Sequence, residues 1–264
     1  MKIGIIGLGV VGRALEHGFQ KLGHHVYIHD IKYETKLLDL IDCEIVYICV
    51  PTPQEDDGRC DTAIVESVLV DLSKINYAGH VCVKSTVVPG TTEKMIQKYG
   101  DLKIAFVPEF LRARCAEIDF VENHDVCIIG TYDDESYNII KKSHGKFPKK
   151  FIKLTPTEAE LTKYFNNVYN STLITFANSF YEICKSLGVE YINVKDAIVN
   201  RENISDIYLD CNENLRGFGG MCLPKDTSAL AYLARELNLD IDFFDNIIKE
   251  NTKYKITVFR GMRK

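Results

Sequence analysis

The chain has 264 residues, 46% of them hydrophobic and 26% charged, with a formal net charge of −5, the profile of an ordinary globular protein. That balance speaks against disorder and against a nucleic-acid-binding surface. Nine cysteines, an odd number with none spaced Cys-x-x-Cys, argue against a disulfide framework or zinc finger and for a reducing, cytoplasmic setting.

In chain order, short apolar runs at Lys2 to Ile6, Val26 to His29, Glu44 to Val50, Val81 to Lys84, Ile104 to Val107 and Val126 to Ile129 alternate with longer amphipathic stretches. Strands that lack polar alternation are buried on both faces, so residues 1–150 are expected to form a doubly wound parallel α/β sheet. The first run is not read as an export signal, because Gly7, Gly9 and Gly12 would break its helix. No run reaches the roughly 18 apolar residues of a membrane span.

Phe151 to Leu154 reads as one last strand. Thr157 and Glu160 have the spacing of a capping box, so a helix is expected to start there, with Leu161, Phe165, Val168, Phe176, Phe180 and Leu187 at helical intervals until Gly188 stops it. Further helices are expected from Thr227 to about Leu237 and from Asp240 to about Lys255. Residues 151–264 thus read as an α-helical domain. All seven histidines lie at or before His144, so chemistry in this part must use Lys, Asp, Glu, Cys or Asn.

Gly7-Leu8-Gly9-Val10-Val11-Gly12 follows the first strand and opens a helix, and Asp30 ends the second strand 18 residues beyond Gly12. This is the Rossmann dinucleotide fingerprint in its required context. The glycines admit a pyrophosphate at a helix N-terminus, and a carboxylate at Asp30 binds the ribose diol and favours NAD over NADP. Pro51 and Thr52 end the third strand, and Ser85 and Thr86 the fourth, at the edge where open sheets bind ligands; both segments also read as plain turns. Glu109 follows the fifth strand among apolar residues. Desolvation there would raise its pKa toward general-base range, though a surface loop carboxylate is the alternative. Lys163 and Asn167 stand four apart and so leave one helix face together, unless they are a solvated lysine and its neighbour. In Gly217-Phe218-Gly219-Gly220-Met221-Cys222-Leu223-Pro224-Lys225-Asp226, three glycines let substrate approach the backbone. Cys222 is either a nucleophile beside a helix start or one more buried small hydrophobe.

This last segment, with Pro51-Thr52-Pro53, Ser85-Thr86-Val87, Pro108-Glu109-Phe110-Leu111 and Glu160-Leu161-Thr162-Lys163 plus Asn167, resembles the UDP-glucose and GDP-mannose dehydrogenase family. The resemblance runs to about residue 255. It implies a metal-free, NAD-dependent oxidation of a nucleotide-sugar C6 alcohol, most readily that of UDP-glucose, to the uronate by two hydride transfers. Cys222 would be the covalent nucleophile. Lys163 and Asn167 would stabilise oxyanions, Asp226 would help deprotonate the alcohol, and Glu109 with Thr86 would activate the hydrolytic water. The cofactor would lie on Gly7, Gly9, Val10, Val11, Gly12, Asp30, Lys32, Pro51, Thr52, Ser85 and Thr86, and the sugar on Phe110, Leu111, Arg112, Gly219 and Gly220. The helical part would make a homodimer. Two departures stand out: Ala113-Arg114 replaces the family's Glu-Gly, and the family's C-terminal nucleotide-binding domain would begin where this sequence stops, so a separate domain or protein could hold the nucleotide. Two other readings are a dehydrogenase of a smaller hydroxy substrate, transferring one hydride, and a noncatalytic NAD-binding subunit.

Overall fold

The computed structural model describes residues 1–257, so the last residues of the expected helical domain, 258–264, lie outside it. It divides into two compact units. The first is Met1–Pro53 with Cys60–Lys163; the second is Gln54–Arg59 with the chain from Tyr164 onward.

The first unit is built on seven strands: β1 (Lys2–Ile6), β2 (His25–His29), β3 (Ile45–Ile48), β4 (His80–Val83), β5 (Lys103–Phe106), β6 (Val126–Gly130) and β7 (Lys150–Leu154). Their order is β2-β1-β3-β4-β5-β6-β7. Helices α1 (Val10–Lys21), α2 (Ala63–Lys74), α3 (Thr91–Lys98), α4 (Ala116–Val121) and α5 (Asp134–His144) connect them. The residues of β3 show why the strands look uniformly apolar. Val46 and Ile48 face a core with Leu69 of α2 and Met95 of α3, whereas Ile45 and Tyr47 face another with Phe19 of α1, Phe120 of α4 and Ile140 of α5.

The expectation of a wholly parallel sheet is corrected at one place. β1 to β5 are parallel, but β6 meets β5 antiparallel through Phe106 and Gly130, and β7 runs parallel to β6. The helix between β5 and β6, α4, has six residues, about 9 Å of rise. That is shorter than the roughly 13 Å of a strand, so α4 by itself does not make the full-length return helix of a parallel crossover.

The long helix α6 (Pro156–Ser186) begins in the first unit and continues in the second. Its capping box is Thr155 with Glu158, two residues before the expected one. The Thr155 amide donates to Glu158 Oε2 at 2.8 Å and the Glu158 amide to Thr155 Oγ1 at 3.4 Å. Pro156 then occupies the first helical position, where its missing N–H costs nothing. The helix ends before Gly188, which has φ of +69° as expected.

The second unit adds α7 (Tyr191–Ile198), which the sequence reading did not single out, α8 (Leu223–Glu236) and α9 (Phe243–Asn251). α8 begins four residues earlier than expected. Val168 and Ile174 of α6 share a core with Phe218 and Ile247, with Phe244 packed against it.

Candidate active site

The dinucleotide fingerprint is built as its glycines require. Gly7 leaves β1 with φ of +94°, and a Cβ there would meet the Cys49 carbonyl oxygen at 2.8 Å. Gly12, in the first turn of α1, is so close to that bend that a Cβ would lie 2.1 Å from the Gly7 carbonyl oxygen. Above Gly9 the space is open: a Cβ meets nothing within 4 Å. No side chain caps α1 and no acid occupies its first turn, where Val10 is exposed and Val11 half-buried. The first amides therefore present the positive end of the helix to an anion. Asp30 braces the turn. Its Oδ2 accepts from the Leu8 amide at 2.6 Å and its Oδ1 from the Lys32 amide at 2.8 Å. Those amides hold its carboxyl below the usual range. Each oxygen retains a lone pair for a ribose hydroxyl, so the open face, the helix end and the ionised acid fit NAD.

At the same edge, Ser85 Oγ donates to the Val50 carbonyl at 2.7 Å. Pro51 is exposed, and Thr52 and Thr86 are half-buried. The Cys60 thiol lies 3.4 Å from the Thr86 carbonyl and 3.8 Å from that of Thr52, joining the ends of the β3 and β4 segments. Nothing in the sequence marked Cys60 for this, since its partners are backbone atoms.

Glu109, just past β5, is 9% exposed. Its Oε1 accepts from the Phe110 and Leu111 amides at 2.9 and 3.3 Å, and Lys84 Nζ lies 2.8 Å from its Oε2. The expected upward pKa shift is thereby corrected. Burial does push the carboxyl up, but the charge and hydrogen bond of Lys84, aided by His124 and Lys163, outweigh it and hold Glu109 below the ordinary carboxylate range. Lys163, buried and not solvated, donates from Nζ to the Glu109 carbonyl, and this ammonium lies 5.7 Å from the centre of the Phe110 ring. Leu111 packs against the core of the unit. Arg112 grips Asp119 with Nε at 2.9 Å and a terminal nitrogen at 2.6 Å, so its fork already has a protein carboxylate.

Glu160, expected to close a capping box, does something else. It is fully buried and accepts from the Gly90 and Thr92 amides at 2.6 and 2.7 Å, capping α3 from α6. Burial pushes its pKa up to about 7 against the pull of those amides. A carboxyl whose pKa is higher folded than unfolded contributes stability that is full below the unfolded value and lost as pH rises through about 7. Between pH 5 and 8 the thermal midpoint should therefore decline, by the equivalent of about 3 kcal/mol. Glu160→Gln should flatten that decline, and equal slopes in the two proteins would show that Glu160 does not titrate there.

In the second unit Cys222 is exposed, immediately before α8, and the other eight cysteines are buried or half-buried. Asp226, one turn into α8 and 1% exposed, accepts from Asn167 Nδ2 and pairs with Lys225 Nζ at 2.7 Å. Asn167 is likewise buried, so the reading of a surface amide falls. The glycine-rich loop is fixed from α9. The Phe218 amide donates to Asn251 Oδ1 at 2.8 Å, and Asn251 Nδ2 donates to the Phe218 carbonyl at 2.9 Å. Gly219 and Gly220 span the interval from this anchor to Cys222, Gly220 with φ of +78°.

The structure therefore brings Glu109, Phe110 and Lys163 together in the first unit and Asn167 and Asp226 in the second. Sequence reasoning gave no site role to Lys84, Lys225 or Asn251, and gave Glu160 only that of a capping-box partner. A lysine closing a strand read as buried on both faces was the available signal for Lys84.

Compared with known protein families, residues 31–147 match the NAD binding domain of the UDP-glucose/GDP-mannose dehydrogenase family and residues 157–253 match its central domain. The chain is 29% identical to a GDP-mannose 6-dehydrogenase of Pseudomonas syringae pathovar tomato, covering 96% of this chain and 68% of that one. It is also 29% identical to the UDP-glucose 6-dehydrogenase AglM of Haloferax volcanii, with 89% and 66% covered. Among solved structures it resembles a UDP-glucose dehydrogenase from the hyperthermophilic archaeon Pyrobaculum islandicum, with a TM-score of 0.88, 28% identity and 96% and 68% covered. The chain spans about two thirds of the length of these relatives.

Proposed function

Because the chain belongs to the UDP-glucose/GDP-mannose dehydrogenase family and carries its NAD-binding domain, we propose that it oxidises the C6 alcohol of a nucleotide sugar, UDP-glucose in the first instance, to the carboxylate. The observation that carries the proposal is an exposed Cys222 immediately before α8, with Asp226 buried in the first turn of that helix, accepting from the buried Asn167 of α6 and paired with Lys225. A family fold that had lost its chemistry would have no need to bury that polar set.

NAD, when bound, supplies the hydride acceptor for both oxidations. In the first, the C6 hydroxyl proton leaves toward Asp226, through Lys163 or water, as the C6 hydride departs and an aldehyde forms. The Cys222 thiolate then adds to the aldehyde carbon, and Lys163 and Asn167 donate to the oxyanion that develops. Loss of the second hydride from this thiohemiacetal gives a thioester. Glu109, with Thr86 holding the water, takes a proton as the oxygen attacks the thioester, and Cys222 leaves as thiolate. A resting covalent link keeps the sugar in place while cofactor exchanges, so two hydrides are removed without release of the aldehyde. The test is a screen of UDP- and GDP-sugars by NADH absorbance. Two NADH per sugar support the proposal; one points to a simple alcohol dehydrogenase, and none to a binding subunit.

The same reading includes a homodimer built on α6. Phe165, Tyr169, Phe176, Phe180, Ile183 and Leu187 recur along that helix and are exposed, Phe165 by 76% and Leu187 by 72%. Phe165 stacks on Tyr169, and Phe176 packs on Phe180. An apolar stripe of this length suits an interface. α9 adds less to this face, because Ile247 is 5% exposed and Phe244 is half-buried in the unit's own core. Light scattering at tens of micromolar is expected to give twice the chain mass, and Phe165→Glu with Phe180→Glu to give the monomer. A monomeric parent protein would rule the interface out.

A further inference from the structure

Lys84 takes no part in the steps above. It follows β4 directly, its side chain is 1% exposed, and its Nζ lies 2.8 Å from Glu109 Oε2 and 3.4 Å from the Pro108 carbonyl. Burying an ammonium is costly, and replacing a buried ion pair with apolar groups is often neutral or stabilising, so stability alone does not account for it. A buried charge held against a carboxylate at the ligand-binding edge of a sheet points to function instead.

We propose that Lys84 is a positioning residue for Glu109, keeping its carboxylate ionised and aimed through a buried ion pair. This rests on the reading of Glu109 as the base for thioester hydrolysis. The carboxylate is held from both ends. Oε1 is fixed by the Phe110 and Leu111 amides on its own segment, and Oε2 by Lys84 from the end of β4. The other titratable groups facing it are Lys163 from α6, whose ammonium sits on the Glu109 carbonyl, His124 beyond α4, and the thiols of Cys49, Cys82 and Cys127. Burial alone pushes the Glu109 carboxyl up and the Lys84 ammonium down. Their mutual attraction reverses both tendencies, so Glu109 lies below and Lys84 above its usual range. Without this cation the carboxyl would carry its proton over a wider pH range, and a protonated acid takes no proton from water. The pair also limits how the carboxylate can turn, since each oxygen is held by a different segment.

The test is a titration of the Glu109 carboxyl by carbon-13 NMR of the whole chain with labelled glutamate, its signal assigned by its loss in Glu109→Gln. In the parent protein it should titrate below the ordinary glutamate value. In Lys84→Met it should move up by about one to three pH units, and Lys84→Arg should restore a low value. Where turnover is measured, the acid limb of the hydrolysis step should move with it. Unchanged titration in Lys84→Met overturns the proposal. If Lys84→Met does not fold, the parent titration decides: a value at or above that of an ordinary glutamate overturns it, and a lower one supports it. Failure of the underlying reading looks different. Glu109→Gln would then turn over at the parent rate whatever the titration showed.

Discussion

Cys222→Ser is expected to bind NAD as the parent protein does and to complete no oxidation to the acid, with turnover at least about a thousandfold lower. Binding should survive because the fingerprint glycines and Asp30 belong to the other unit. Chemistry should fail because a serine hydroxyl needs a base to become a nucleophile, and no histidine follows His144 in the sequence. Glu109→Gln should fail at a later point. It would still form the thioester but lack a base for the water, so intact-protein mass spectrometry after incubation with sugar nucleotide and NAD should find a sugar-nucleotide-sized adduct on Cys222. The parent protein must turn over in the same assay. If Cys222→Ser also produces two NADH per sugar, the covalent route is wrong, and the glycine-rich loop serves only to seat the substrate.

The second large effect separates two glycines of one motif. Gly12→Ala places a carbon 2.1 Å from the Gly7 carbonyl oxygen, backbone against backbone, where neither partner is a flexible side-chain tip. It should cost about 1 to 3 kcal/mol through displacement of α1 from β1, more than the roughly 1 kcal/mol that alanine gains over glycine within a helix. NAD affinity should fall with it. Gly9→Ala meets nothing within 4 Å and has an ordinary backbone, φ −79°, so stability should stay within about 0.5 kcal/mol. Affinity for NAD should nevertheless drop at least tenfold, about 1.4 kcal/mol, because the added methyl occupies the open face above the helix end. Thermal denaturation with calorimetric titration reads both effects. A Gly9→Ala protein with unaltered affinity would remove the cofactor from that face.

These two glycines also illustrate what a linear sequence can carry. Their spacing, with Asp30 after the second strand, is a local pattern imposed by one turn, and the structure realises it. The direction of β6 left no such trace, because a strand buried on both faces has the same composition whichever way it runs. Thr155 and Thr157 both stand three residues before a glutamate, and the pattern alone selected the wrong one. Pro156 could have decided it, since proline belongs just inside a helix start. Glu109 shows a different limit. Its apolar neighbours correctly signalled burial, but the cation that reverses the effect lies 25 residues away and arrives only because β4 pairs with β5. Burial can be read from neighbours along the chain, whereas charge partners depend on the sheet.

The clamp between Asn251 and Phe218 sets an order of events during synthesis. The loop leading to Cys222 gains two of its hydrogen bonds from a side chain 33 residues further on, a contact that cannot form until that part of the chain has left the ribosome. Local contacts along α6 and α8 close early, and this long-range one comes late. The Cys222 thiol, the nucleophile of the proposed route, would therefore sit on an unfixed loop until α9 docks, and the nascent protein would fix that loop only once residue 251 is available. A pulse of alkylating reagent during cell-free translation would find Cys222 labelled at a different rate before and after residue 251 emerges.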